Sequence, residues 1–300
     1  MNDTPPQGNL YESEAAATSG AASNRFGGAW TEDKLAVLRE YLKFYTVALK
    51  KSRFDLIYID TFAGTGRCQV KVGAKGERTI DGSATIALDT DPAFKQLHFI
   101  ERRKKFAREL QTLKAKHPNG ARASVVVGDA AQALSGVLAK YKARWSSTRG
   151  VLFLDPYGLQ CTWAMLCEIA ETKALDVFFL VSLSGLFRQA ALDEKGVDEG
   201  KAKRLTTFLG TDEWRRRLYT NSQGDMFDGP KVTRELGYQD ILKFVVERLE
   251  SRFPYVGDPR LLGATKGPPL YALFFVVSNP SKVAIQLASS VSVDILSKLR

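Results

Sequence analysis

Cysteine, histidine and long apolar runs are what this chain has least of. Its 300 residues include three cysteines, Cys68, Cys161 and Cys167, and two histidines, His98 and His117. The cysteines form no CxxC pair, and with two histidines beside them a structural zinc site is short of closely spaced ligands, so no metal is expected. No apolar stretch approaches the roughly 20 residues of a membrane span. The amino terminus lacks the basic-then-apolar order of a secretion signal. These absences lead to the expectation of a cytoplasmic chain without a membrane partner.

What the sequence does hold is enough apolar material for one large folded domain, at 44% hydrophobic residues, and a formal net charge of +10. A surplus of that size suits a polyanion such as DNA or RNA, and serves solubility equally well. Residues 1–27 are rich in Ala, Ser, Gly and Pro without apolar period and read as a disordered arm. The folded domain is expected over 28–300. Thr31 is placed as the cap of a first helix, whose Leu35, Leu38, Leu42, Tyr45 and Leu49 recur at steps of three and four.

From Leu56 onward apolar runs alternate with helical patterns, as in "LIYID", "LHFIE", "ASVVVGD", "GVLFLDPYG" and "ALDVFFLVS". Such alternation builds βαβ units, hence an α/β fold with a mostly parallel sheet and helices on both faces. Two segments break the pattern. Residues 67–81 alternate around a Gly-rich turn and read as a hairpin insert, a candidate lid; residues 184–254 read as a charged helical insert before "LYALFFVVSNP" resumes as a strand.

Ligands of such sheets bind beyond the carboxyl ends of the strands, and Asp60, Glu101, Asp129 and Asp155 each end a strand there. In "YIDTFAGTGR" Asp60 precedes Gly64-Thr65-Gly66. A dinucleotide loop needs a third glycine running straight into a helix, and a P-loop needs GK[ST]; neither follows. An acid four residues before a bare glycine turn suits instead a cationic ligand without phosphates, of the kind S-adenosylmethionine is. Asp60, Phe62, Gly64 and Gly66 form the expected cofactor turn. Glu101 would accept from the ribose hydroxyls and Asp129 from the adenine amine. Taken singly, each acid serves as well to cap the next helix.

In their order and spacing, "WTEDKLAVLREYLKFY", "YIDTFAGTGR", "GSATIAL", "LDPYG", "TWAMLCEIAETKALDVFFL", "FLGTDEW" and "YALFFVVSNP" resemble the three-Cys-motif partner proteins, over about residues 30–290. That resemblance implies a Rossmann-like class I methyltransferase fold, S-adenosylmethionine as cofactor, and association with a separate three-Cys-motif protein. The chain's own three cysteines are not that motif.

"LDPYG" also resembles the [DNS]-P-P-[YFW] loop of amino-group methyltransferases with one proline missing. The resemblance implies that Asp155, Pro156 and Tyr157 orient a target amine, and that the Tyr157 ring stacks on its base. The plain alternative is a turn, in which Pro fixes φ, Gly permits a positive one and Asp caps a helix. Arg215, Arg216 and Arg217 in "WRRR" are candidates for a phosphate-binding face, with a solvated helix face as the alternative. The expected function is an S-adenosylmethionine-dependent methyltransferase acting on an amino group of a nucleic-acid base; the alternative is a cofactor-binding, non-catalytic partner subunit of a three-Cys-motif protein.

Overall fold

The computed structural model describes residues 29–72, 76–191, 194–221, 232–233, 237–263 and 268–297. The arm expected over 1–27, and parts of the 67–81 and 184–254 segments, lie outside them. Helix α1 (Ala29–Ala48) precedes β1 (Asp55–Asp60), and the pair β2 (Arg67–Val72) and β3 (Gly76–Asp81) comes next. Then follow α2 (Ser83–Leu88), β4 (Gln96–Glu101), α3 (Lys104–Lys116), β5 (Ala123–Val127), α4 (Ala130–Ala139), β6 (Thr148–Leu154), α5 (Trp163–Glu171) and β7 (Leu175–Ser182). Helices α6 (Leu183–Gln189), α7 (Glu199–Leu209) and α8 (Trp214–Leu218), the short pair β8 (Thr220–Asn221) and β9 (Val232–Thr233), and α9 (Tyr238–Glu250) occupy the stretch before the sheet resumes. It resumes with β10 (Tyr255–Val256), β11 (Arg260–Leu262) and β12 (Tyr271–Val277), and α10 (Lys282–Ser297) closes the fold.

The main sheet runs β5-β4-β1-β6-β7-β12-β10, with β11 also on β12. Strands β5 through β7 of that order pair in parallel, whereas β12 runs antiparallel to β7, β10 and β11. The chain starts in the middle, steps outward to β5, returns across β1 to β6, and ends on a reversed strand. This is a Rossmann-like class I methyltransferase fold, and the point between β1 and β6 where the strand order switches sides is where such sheets open a ligand crevice.

Strands covered on both faces need apolar residues at odd and even positions alike, and β7, "LDVFFLVS", is buried throughout. Ile57, Ile59, Leu152, Leu154, Val177 and Phe179 face one core, under α4 to α7 and α9. Tyr58, Val151, Phe153, Phe178 and Phe275 face the other, under α1, α2, α3 and α10. Leu35, Leu38, Leu42 and Tyr45 bury the expected α1 stripe there, together with Tyr41. The helix itself begins at Ala29, two residues before the expected cap, so Thr31 lies inside its first turn and is buried. Trp30 stacks on Tyr271, with ring centroids 6.0 Å apart, and anchors that extra turn. Among the described residues no helix is long and apolar enough to cross a membrane.

Candidate functional site

At the carboxyl end of β1 the chain turns under tight backbone control. Thr61 N–H donates to Phe153 O at 3.2 Å and Ala63 N–H to Ile100 O at 3.0 Å, tying the turn to β6 and β4. Gly64 and Gly66 take φ of 61° and 79°, the left-handed region that glycine enters without steric cost. A Cβ built on Gly64 meets nothing within 4 Å, so open space adjoins the turn.

The helix that the sequence places too late is brought back in space. Gly82 N–H donates to Gly66 O at 2.8 Å, and the Thr85 hydroxyl donates to the same carbonyl at 2.6 Å. The β2–β3 pair is therefore looped out between two residues that touch, and α2 follows the glycine turn directly. A Cβ on Gly82 would stand 2.9 Å from the Gly66 carbonyl. Gly82 thus fills the close-packing role of the third glycine that the linear motif lacks.

The strand-end acids divide into three kinds. Glu101 is 9% exposed; it accepts Gly64 N–H at 3.0 Å and Arg103 N–H at 2.7 Å, one on each oxygen. Burial pushes its carboxyl up, and the two backbone donors pull it back. Each oxygen keeps a further lone pair for a hydroxyl donor. Asp129 is exposed and caps α4, accepting from Ala131 N–H at 3.0 Å and Gln132 N–H at 3.4 Å. Asp60 shares Tyr58's side of the sheet and is 0% exposed. It accepts Phe62 N–H at 3.2 Å and the Tyr58 hydroxyl at 3.5 Å. Burial pushes its pKa up to about 7, against hydrogen bonds from Ser83 and Phe62. Asp60 therefore braces the turn from behind rather than presenting its carboxylate on the open side.

Asp155 follows β6 on the same side, as the alternation from Phe153 requires. The ammonium of Lys34, from α1, donates to its Oδ2. Lys34 is 6% exposed, with its ammonium 5.8 Å from the Phe153 ring centroid. Pro156 is buried, Tyr157 is 55% exposed, and Gly158 takes φ 61°. Because β12 is reversed, its first residue, Tyr271, pairs with Ser182 at the end of β7 and so reaches this edge. The charges of Asp155, Lys34 and Arg188 all act on Tyr271. The edge thus gathers the glycine turn, Glu101, the Lys34–Asp155 pair and three aromatic rings: Tyr157, Tyr271 and Trp30.

Arg215, Arg216 and Arg217 lie apart on α8, and two of them are engaged within the fold. Arg215 pairs with Glu194 at 3.4 Å and lies 4.5 Å from the Trp214 ring; Arg217 pairs with Glu247 at 2.6 Å and lies 5.0 Å from the Phe244 ring. Arg216 makes a 3.9 Å contact with Glu213 and its side chain is 82% exposed. Lys34, Trp30, Tyr271 and Gly82 are the site residues that sequence reasoning passed over. Lys34 had a readable signal, since Thr31, Lys34, Leu35 and Leu38 share one helix face and a lysine on an apolar stripe needs a partner.

No family model and no curated protein matches the chain. Among solved structures it is similar to protein LPL1258 from Legionella pneumophila, at 12% identity over 90% of this chain and 92% of that one, with a TM-score of 0.49. It is similar to spermidine synthase from Thermotoga maritima at 12% identity, over 84% of this chain and 60% of that one, with a TM-score of 0.38. A third is the glycopeptide N-methyltransferase MtfA complexed with S-adenosyl-L-homocysteine, at 10% identity over 90% and 98% of the two chains, with a TM-score of 0.33. The fold assignment rests on the chain's own strand order.

Proposed function

We propose that the chain is an S-adenosylmethionine-dependent methyltransferase whose acceptor is an amino group of a nucleic-acid base. The observation that carries this reading is the Gly64–Glu101 bond. A left-handed glycine with open space beside it is clasped by a buried carboxylate at the switch point, next to the Asp155–Tyr157 loop. The donor set fits the cofactor: Gly64 leaves open space for its methionyl part, Gly66 lets the turn close on Leu113 and Thr85, and Glu101 has lone pairs for ribose hydroxyls; Phe62 and Asp129 would line the same edge. When bound, S-adenosylmethionine supplies an electrophilic methyl group.

The chain's residues would position the acceptor. Lys34 fixes the orientation of Asp155 through its contact with Oδ2, leaving acceptor capacity for a target N–H. The exposed Tyr157 ring offers a stacking face for a base. Holding the nitrogen lone pair on the line of attack, in a site shielded from water, is the main service this reaction needs. Two observations favour a second reading, a cofactor-binding but non-catalytic partner subunit of a three-Cys-motif protein. Lys34 already occupies Asp155, and Arg215 and Arg217 are engaged within the fold.

Incubation with labelled cofactor and DNA or RNA, with and without a three-Cys-motif protein, separates the two. The enzyme reading expects methyl transfer that Asp155→Ala abolishes, Tyr157→Ala reduces and Tyr157→Phe leaves nearly intact. No transfer under any of these conditions, with cofactor binding retained, selects the subunit reading.

A further inference from the structure

A second cavity, of about 240 Å³, opens at the opposite, amino edge of the sheet, between α1, α10 and the starts of β6 and β7. The rings of Tyr41, Phe44, Tyr45 and Phe54 form much of its wall, and Val283 and Leu287 of α10, 73% and 41% exposed, stand at it from the solvent side. A dry cavity of about 150 Å³ already accommodates benzene, so a ring with a short side chain fits here.

Arg149, Asp176, Asn279 and Ser281 make part of the wall polar, and the acid among them is the most enclosed. Asp176, the second residue of β7, is 9% exposed and lines the cavity. Its Oδ2 accepts the Tyr41 hydroxyl at 2.7 Å, and among the described residues its other oxygen takes no hydrogen bond. Burial pushes its pKa up to about 7. Arg149, whose charge reaches it, makes no ion pair with it among the described residues. Its Nη1 donates instead to the carbonyls of Trp145 at 2.6 Å and Thr148 at 2.7 Å, and its guanidinium lies 4.2 Å from the Phe54 ring. A largely buried carboxyl whose second oxygen opens on a ring-lined cavity can take one further donor from a ligand.

We propose that this cavity is a binding site for a small aromatic amine, its ammonium on Asp176 and its ring among Tyr41, Tyr45 and Phe54. The carboxylate supplies charge and acceptor together, which favours a cation over a neutral donor. The guanidinium of Arg149, fixed to backbone carbonyls, leaves Asp176 to the ligand. The site lies across the sheet from the glycine turn and does not depend on the methyltransferase reading.

The probes are 2-phenylethylamine, 2-phenylethanol and 3-phenylpropionate, titrated into the full chain by calorimetry and ligand-observed NMR. The amine is expected to bind saturably, at least tenfold tighter than the alcohol, and the carboxylate not at all. Asp176→Asn should weaken the amine at least tenfold while leaving the alcohol unchanged. Ala284→Phe, which fills the cavity from α10, should abolish binding of both; circular dichroism and melting confirm that each variant is folded. Absence of saturable amine binding, equal affinity for the alcohol or the anion, or amine binding that survives Ala284→Phe overturns the proposal. Should Asp176→Asn fail to fold, the probe series and Ala284→Phe decide it.

Discussion

Lys34 and Asp155 are 121 positions apart in the chain and form an ion pair at the edge where β6 ends. Lys34 is nearly enclosed and the Asp155 side chain is 29% exposed, so the pair is only partly screened by water. Removing one partner leaves the other charge without compensation. Lys34→Met should therefore cost about 1 to 3 kcal/mol in urea unfolding, and Lys34→Met with Asp155→Asn should recover most of it. A double-mutant cycle with no coupling would contradict this. The glycines make a second residue-scale contrast. Gly64→Ala places a Cβ in open space at a positive φ, at a cost of about 1 to 2 kcal/mol. Gly82→Ala drives a Cβ against the Gly66 backbone, which has no rotamer to yield, and should cost about 1 to 3 kcal/mol while distorting the turn. Asp60 adds a pH signature. Its folded pKa of about 7 stands above the ordinary 3.8, so between those values the native state keeps a proton that the unfolded chain has lost. This group's contribution to stability therefore falls as pH rises from about 4 to 7. Asp60→Asn should flatten that fall.

The β4–β5 and α4 elements carry a titration of opposite sign. His98, on β4, is hydrogen-bonded to Ser124 of β5 at 2.8 Å and to the Tyr141 hydroxyl, just beyond α4, at 2.6 Å. Burial depresses its pKa from 6.5 to about 4. Between those values the unfolded chain binds the proton and the native state does not, so this group's stabilisation is present above about pH 6.5 and lost as pH falls toward 4. The full swing is about 3 kcal/mol. Comparing the acid limbs of wild type and His98→Gln isolates it, and an unchanged slope would contradict the assignment. At this scale the sequence was most legible where local pattern decides: the βαβ alternation, the α1 stripe and the apolar β7 and β12. It was least legible where a long-range neighbour decides. That α2 directly follows the glycine turn is hidden behind residues 67–81, because the closing contact joins Gly66 to Gly82. Whether a strand-end acid faces a crevice or a helix depends on residue parity and on what covers that face. Hence Asp60 points into the core, Asp129 caps α4 and Glu101 clasps Gly64, although all three look alike in sequence.

For the whole molecule, the net charge of +10 would support a nucleic-acid partner through counterion release. The arginines of α8 refine the expectation. Arg217→Gln breaks an exposed ion pair and a ring contact, and should lower stability by about 0.5 to 1 kcal/mol. Arg216→Gln should leave stability unchanged. If α8 meets phosphates, it should also reduce the salt slope of nucleic-acid binding by about 1. An unchanged slope would assign Arg216 to an ordinary solvated face. The proposed cofactor and acceptor sites share the carboxyl edge of β1, β4 and β6, so cofactor binding there is the central claim. Its most direct test is calorimetric titration of S-adenosylmethionine into the wild type and Glu101→Ala. Saturable binding to the wild type, weakened by about 1.5 to 3 kcal/mol in the variant, is the predicted result. No binding to folded wild type, or equal affinity in both, would contradict it.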